Sequence, residues 1–149
     1  MVNLKSRSAR ESGYEMDALR YAMDWSEEDL DKAQILVEST YGQSHPGSYH
    51  LNELTEEVDK GIFVKGMKPA NFFATDICDG IAQGHDGMSY SLVSREIMAA
   101  MVEIHAKAEA FDGLVLISSC DKAIPAHLMA LARLDMPSIF VPGGSMITG

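Results

Sequence analysis

The sequence predicts an α/β fold in three layers, with helices on both faces of a mainly parallel sheet. Short apolar runs that suit buried strands alternate along the chain with longer segments of helical periodicity. A strand, a helix and a strand at this spacing form a βαβ unit, which requires parallel strands. Segments rich in glycine and polar residues follow the apolar runs, as expected of loops at the carboxyl edge of such a sheet.

Residues 1–34 are expected to form an arm and short helices ahead of the main domain, which we expect to span residues 35–149. Residues 1–12 are polar and lack periodicity, which predicts an arm that is loose or docks on a partner. A short helix is predicted over residues 16–23. A second should follow Ser26, which suits a helix N-cap because acidic residues come directly after it.

The main domain alternates predicted strands and helices. A helix should begin near His50, because Leu51, Leu54, Val58 and Ile62 recur at the spacing of a core-facing stripe. Apolar periodicity and breakers place the other elements. Strands are predicted at residues 35–37, 71–75, 114–118 and 138–141, and further helices at residues 94–110 and 124–134.

The composition excludes several classes of function. The chain has 149 residues and 46% hydrophobic content, which fits one domain that buries about 70% of its extended surface. Its formal net charge of -10 argues against a nucleic-acid partner. No export leader and no apolar run of the ~20 residues that span a bilayer is visible, so we expect a cytoplasmic protein without a membrane partner.

Three unusual segments follow predicted strands, at residues 41–47, 76–88 and 119–122. Because ligands of parallel sheets gather at the carboxyl ends of the strands, we expect the functional site there. The spacing of Gly80, Gly84 and Gly87 matches neither a phosphate-binding loop nor a dinucleotide fingerprint, so nucleotide binding is not predicted.

Cys120, Asp121 and Lys122 lie between a predicted strand and a predicted helix. A helix N-terminus lowers the pKa of a thiol, so Cys120 is a candidate thiolate ligand or nucleophile. The alternative is a buried free cysteine, with Asp121 as a helix cap and Lys122 in solvent. Asp79 suits a hard cation such as magnesium or, alternatively, a turn.

The two histidines of these segments have less specific roles. His85, with Asp86 beside it, either binds a substrate or satisfies the backbone of the loop. His50 is predicted to form hydrogen bonds at the start of its helix.

Several ordered motifs resemble the dihydroxyacid dehydratase and phosphogluconate dehydratase family. They are CDGIAQGHDGM at residues 78–88, YSL at 90–92, ISSCDK at 117–122 followed by Pro125 and LMA at 128–130, and IFV at 139–141 before Gly143 and Gly144. Together with the weaker match of PGSYHL at 46–51, the resemblance runs from about Ile35 to the end. It implies the N-terminal αβα domain of this family.

The resemblance also implies an activity. It is the dehydration of a 2,3-dihydroxy acid, a small molecule, to a 2-keto acid in branched-chain amino-acid biosynthesis, by a homodimeric hydro-lyase with an iron-sulfur cluster (4Fe-4S or 2Fe-2S) and Mg²⁺. In that case Cys120 matches a cluster cysteine, and Asp79 and Asp121 match magnesium ligands. Lys122 matches a lysine that binds the metal through a carbamate, which makes it our candidate catalytic residue.

Two departures qualify the resemblance. Gly47 follows Pro46 where many relatives carry a further cluster cysteine, which favours the four-iron type. The family is much longer than this chain, and its later cysteine, glutamate and serine lie beyond the matching residues, so the isolated chain is expected to be inactive. The alternatives are a sugar-acid dehydratase of the phosphogluconate type and a non-catalytic fragment or interaction module.

Overall fold

A computed structural model describes residues 3–146 and contains one four-stranded sheet with the order β2-β1-β3-β4. All neighbouring strands are parallel, which confirms the predicted α/β class. In the register, Ser39 lies beside both Phe73 and Ile117, and Ser118 lies beside Pro142, so the strands end at one common edge. The strands are β1 (Gln34–Ser39), β2 (Lys68–Phe73), β3 (Gly113–Ser118) and β4 (Ser138–Pro142).

Helices cover both faces of the sheet, as the three-layer prediction requires. The helices are α1 (Lys5–Ser12), α2 (Glu15–Tyr21), α3 (Glu27–Asp31), α4 (Leu51–Val64), α5 (Asp79–Ala82), α6 (Ser91–Ala108) and α7 (Ala123–Leu134), with a short 3₁₀ helix at Asp86–Tyr90. Alternate residues of β1 point to opposite faces. Val37 packs with Leu51 of α4, whereas Leu36 packs with Val102 of α6 and Ala130 of α7.

The strand β2 begins earlier than predicted, at Lys68 rather than residue 71, and ends at Phe73. Pro69 lies inside it. A proline cannot donate a ladder hydrogen bond, so it is tolerated here because β2 is at the edge of the sheet. Whether a strand lies at the edge of a sheet depends on the folded chain. The proline therefore hid the first residues of this strand in the sequence.

The long helix α6 is confirmed, but two of its isoleucines face outward. Ile97 and Ile104 are each 56% exposed, while the smaller Ala99 and Val102 are fully buried against the sheet. Small side chains let α6 approach the strands closely. The helix therefore presents an apolar outer stripe that the described residues do not cover.

The N-terminal segment differs from the loose arm that the sequence predicted, because residues 5–12 form α1 and dock on the chain itself. The backbone N–H and hydroxyl of Ser6 donate to the two carboxylate oxygens of Asp112, at 3.1 and 2.5 Å. Arg10 donates two hydrogen bonds to Asp17, at 2.7 and 2.9 Å. Polar contacts hold this helix, so hydrophobic periodicity could not reveal it.

The short helices predicted over residues 16–23 and after Ser26 are both confirmed, as α2 and α3. Ser26 is the N-cap of α3 and forms a reciprocal capping box with Asp29.

The glycine-rich segment after β2 is more ordered than the predicted loop. It contains α5 and the 3₁₀ helix, and Gly84 between them has φ +85°, which a side chain would strain. Among residues 3–146, no helix is both long enough and apolar enough to cross a membrane.

Candidate metal and substrate site at the carboxyl edge

The strand order reverses between β1 and β3, and a crevice for ligands is expected at this point. The chain leaves β1 toward α4 on one face of the sheet and leaves β3 toward α7 on the other. The two departing loops remain in contact, because the hydroxyl of Ser119 donates a hydrogen bond to the carbonyl oxygen of Gly47. The predicted meeting of these loops is thus present in the structure.

Asp79, Asp121 and Lys122 come together at this edge. The Nζ atom of Lys122 lies 2.9 Å from Oδ1 of Asp79 and 2.9 Å from Oδ1 of Asp121. The hydroxyl of Ser91, at the start of α6, donates to the same oxygen of Asp79 at 2.7 Å. Lys122 is only 4% exposed, so the alternative of a solvated lysine is wrong. The loop after β2 and the loop after β3 therefore place two carboxylates around one buried cation.

The charges of this group stabilise one another. Burial alone lowers the pKa of Lys122, but its hydrogen bonds to Asp121 and Asp79 outweigh burial and raise it. Hydrogen bonds from Lys122 and Ser91 lower the pKa of Asp79. At neutral pH the group consists of one ammonium between two carboxylates. The N-cap of α7 is Lys122 rather than Asp121, so the alternative role of Asp121 as a helix cap is also wrong.

Cys120 precedes this group and is partly buried. Its pKa is raised, first by burial and then by the carboxylates of Asp76 and Asp121, so the prediction of a lowered thiol pKa is wrong. The carboxylates of these two residues disfavour ionisation of the thiol to a thiolate. Its φ of +72° lies in the left-handed region, which costs about 1–3 kcal/mol and is concentrated at functional sites.

Gly47 is required by its close approach to Cys120. A Cβ atom at this position would overlap the Sγ of Cys120 and would stand 3.2 Å from Nδ1 of His45. The absence of a side chain lets the Sγ of Cys120 lie against the backbone of Gly47, close to Nδ1 of His45. We call this contact region, on the loop that follows β1, the cradle.

His45 and Asp76 form a buried pair behind this cradle. Nε2 of His45 lies 3.1 Å from Oδ1 of Asp76 and 3.2 Å from the hydroxyl of Ser48. The side chains of His45 and Asp76 are at most 1% exposed, and burial raises the pKa of Asp76. The sequence analysis missed both residues. The available signal was their position, since each belongs to a polar segment directly after an apolar strand.

The other two histidines of this edge have structural contacts. Nδ1 of His85 accepts a hydrogen bond from the backbone N–H of Gly87 at 3.0 Å, as the loop-backbone alternative expected. The side chain of His50 makes no hydrogen bond at the start of α4, and its Nε2 instead donates to the carbonyl oxygen of Gly143 at 2.7 Å. The predicted role of His50 is therefore wrong, because the loop after β4 folds over it.

A pocket of about 350 Å³ opens beside these residues and is lined mainly by apolar atoms, with Cys78, His85 and Tyr90 among its walls. Within residues 3–146, no three histidine, cysteine or acidic side chains are grouped closely enough to hold a metal ion together.

A family model described as the dihydroxy-acid/6-phosphogluconate dehydratase N-terminal region matches residues 32–149. The chain belongs to this dehydratase family. It is 50% identical over 128 residues to the dihydroxy-acid dehydratase of Desulfatibacillum aliphaticivorans, across 86% of this chain and 23% of that protein. It is 48% identical over 132 residues to the enzymes of the same name from Halothermothrix orenii and Pyrococcus abyssi, across 89% of this chain and 24% of each.

Family membership confirms the resemblance that the motifs at residues 78–92 and 117–130 carried, because the matched region includes both. The chain spans 23–24% of the length of these curated relatives. It corresponds to the N-terminal domain of the family.

Proposed function

We propose that this chain supplies part of the active site of a dihydroxy-acid dehydratase, a hydro-lyase that converts a 2,3-dihydroxy acid to a 2-keto acid. The observation that carries the proposal is the convergence of Asp79 and Asp121 on Lys122 next to Cys120, at the strand-order reversal where ligands bind. The names of the relatives support the substrate class and the reaction. We further propose that this reaction serves branched-chain amino-acid biosynthesis.

The residues of this edge fit a magnesium ion. The ammonium of Lys122 stands between two carboxylates, in the place of a hard cation that prefers oxygen ligands. We propose Asp79 and Asp121 as magnesium ligands. The deprotonated amine of Lys122 would add to carbon dioxide, forming a carbamate and releasing one proton to solvent. The lysine would then offer oxygen donors instead of a positive charge.

The residues also fit an iron-sulfur cluster. Cys120 faces the cradle at Gly47, and a soft thiolate is the usual protein ligand of such clusters. When bound, the cluster and Mg²⁺ would supply Lewis acidity, both for departure of the 3-hydroxyl group and for binding of the carboxylate and 2-hydroxyl of the substrate. Asp79 is held in position by Ser91, and the buried Lys122 is kept from solvent by the surrounding loops.

The test uses the complete gene product that carries residues 1–149, reconstituted anaerobically with iron, sulfide and Mg²⁺. We expect it to dehydrate 2,3-dihydroxyisovalerate, and the Asp79→Asn and Cys120→Ser variants to lose at least about 100-fold in kcat, because each removes a metal ligand. Asp135→Asn, on an exposed acid at the far end of α7, is the matched control and should keep full activity.

Two outcomes would overturn parts of this proposal. Dehydration of 6-phosphogluconate alone would replace the substrate class by that of the sugar-acid branch. Full activity of both variants would remove the assigned site. The isolated 149-residue chain should show no turnover, because its two cysteines are too few for a conventional cluster.

We also propose that the protein forms a homodimer. The outer face of α6 carries Val93, Ile97 and Ile104, each about half exposed, and such a stripe is typical of an interface. Ile97→Glu should convert the dimer to a monomer in light scattering, whereas Val64→Glu, at an exposed apolar residue of α4, should leave it dimeric. A dimer that survives Ile97→Glu would place the interface elsewhere.

A further inference from the structure

The cradle beside Cys120 also contains a nitrogen atom of the kind that binds metals, Nδ1 of His45. The position of a Cβ at Gly47 overlaps the Sγ of Cys120 and lies 3.2 Å from Nδ1 of His45, so both atoms lie beside the same backbone position. His45 is 4% exposed as a residue, and its Nδ1 has no hydrogen-bond partner among residues 3–146. A buried, unsatisfied nitrogen costs free energy, which a ligand at this point would recover.

The opposite ring nitrogen of His45 has the contacts of a metal-bound histidine. Its Nε2 lies 3.1 Å from the buried carboxylate of Asp76 and 3.2 Å from the hydroxyl of Ser48. A histidine that ligates a metal usually donates its other N–H to a carboxylate, which fixes the tautomer and strengthens the ligand. With the proton on Nε2, the lone pair of Nδ1 faces the cradle.

We infer that His45, through Nδ1, supplies a nitrogen ligand to the metal centre that Cys120 binds. The inference rests on the proposed function, because it takes the centre to be the iron-sulfur cluster proposed above. It also gives a reason for Gly47, because a side chain there would displace the Sγ of Cys120, one of the two ligand atoms. Asp76 and Ser48 are positioning residues, since they act on His45 and do not face the cradle.

The decisive experiment detects nitrogen directly at the cluster. The complete gene product is reconstituted, reduced and examined by pulsed electron paramagnetic resonance, with natural histidine and with histidine labelled with ¹⁵N in the imidazole ring. We expect a strong nitrogen hyperfine coupling that changes from the ¹⁴N to the ¹⁵N pattern on labelling. This measurement uses the wild-type protein and needs no variant to fold.

Two variants assign the coupling to one residue. His45→Gln should abolish the imidazole coupling, whereas His85→Gln, at an exposed histidine of the same edge, should preserve it. If the cluster forms without imidazole coupling, the inference is overturned and the proposed function stands. If no cluster forms in the wild-type protein, both are overturned. A coupling that persists in His45→Gln also overturns the inference.

Discussion

His45 and His105 each contact a buried carboxylate, yet they lie in different parts of the fold and have different roles. His45 lies beyond the end of β1 and contacts Asp76 at 3.1 Å, while Nδ1 of His105 on α6 contacts Glu38 of β1 at 2.9 Å. Burial raises the pKa of both carboxyl groups. The ring of His105 stacks on Phe72 at a centroid distance of 4.0 Å, whereas Nδ1 of His45 faces the cradle at Gly47.

The position along the strand decides which role a pair takes. Glu38 lies within β1, between neighbouring strands and beneath α6, where the surroundings are side chains of the core. Asp76 lies past the end of β2, where loops diverge and leave space for a ligand. The same chemical pair therefore stabilises packing in one place and prepares a nitrogen donor in the other.

The largest effect is expected from breaking the pair of Glu38 and His105 in the core. Glu38→Ala should lower the free energy of unfolding by about 3 kcal/mol, because it leaves a cavity and a histidine without its partner. Urea unfolding of the purified protein measures the change. Glu11→Ala, at an exposed acid of α1, is the control and should stay within about 0.5 kcal/mol of wild type. An equally small change for Glu38→Ala would contradict the assigned role.

A third buried histidine extends the comparison, since His127 has no hydrogen-bond partner among residues 3–146 and packs edge-on against Phe140. Burial lowers the pKa of His127 from 6.5 to about 4. Between these values the unfolded chain holds more protons than the folded one. The free energy of unfolding should therefore fall as the pH is lowered from 6.5 to 4, by up to about 3 kcal/mol.

The variant His127→Met tests this acid sensitivity. It should flatten the dependence on pH over that interval and should stabilise the protein at pH 7 by about 1 kcal/mol, because it removes two unsatisfied nitrogens. Thermal unfolding at several pH values measures both effects. An unchanged slope would show that another group accounts for the acid sensitivity.

A smaller effect is expected from Asp76→Asn, which keeps an acceptor for His45 but removes the negative charge. Loss of such an outer-shell carboxylate typically weakens metal affinity about 10–100-fold. Iron release to a chelator should accelerate by a similar factor in the reconstituted protein. Glu38→Gln, the matching change in the core pair, should leave iron release unchanged. Equal rates in Asp76→Asn and wild type would assign the two pairs the same structural role.

The smallest effect concerns Ser48, whose hydroxyl donates to the carbonyl oxygen of Gly42 at 3.0 Å and contacts Nε2 of His45. Ser48→Ala should cost about 1 kcal/mol of stability, the usual contribution of one hydrogen bond. Chemical unfolding measures this cost. A loss as large as that of Glu38→Ala would mean that the loop after β1 is part of the core.

Much of the fold could be predicted because strands and long helices leave periodic patterns. The continuous apolar runs of β1 and β3 and the stripe of α4 were visible in the sequence. The helix α1 was not visible, because its contacts with Asp112 are polar and join residues more than 100 positions apart. Such contacts leave no local signal.

The site was predicted in part for a similar reason. Asp79, Asp121 and Lys122 belong to motifs at strand ends, so their neighbourhood followed from the parallel sheet. The raised pKa of Cys120 was not predicted, because it depends on burial and on Asp76, a residue of another loop.

The sequence by itself determined the α/β class, the family and the segments that carry the site, because apolar runs, helical spacing and ordered motifs are local properties. Only the tertiary structure decided that Gly47 lies against Cys120 and that His45 faces the same space. The physical reason is that the strand order brings the ends of β1 and β3 together, although more than 70 residues separate them along the chain.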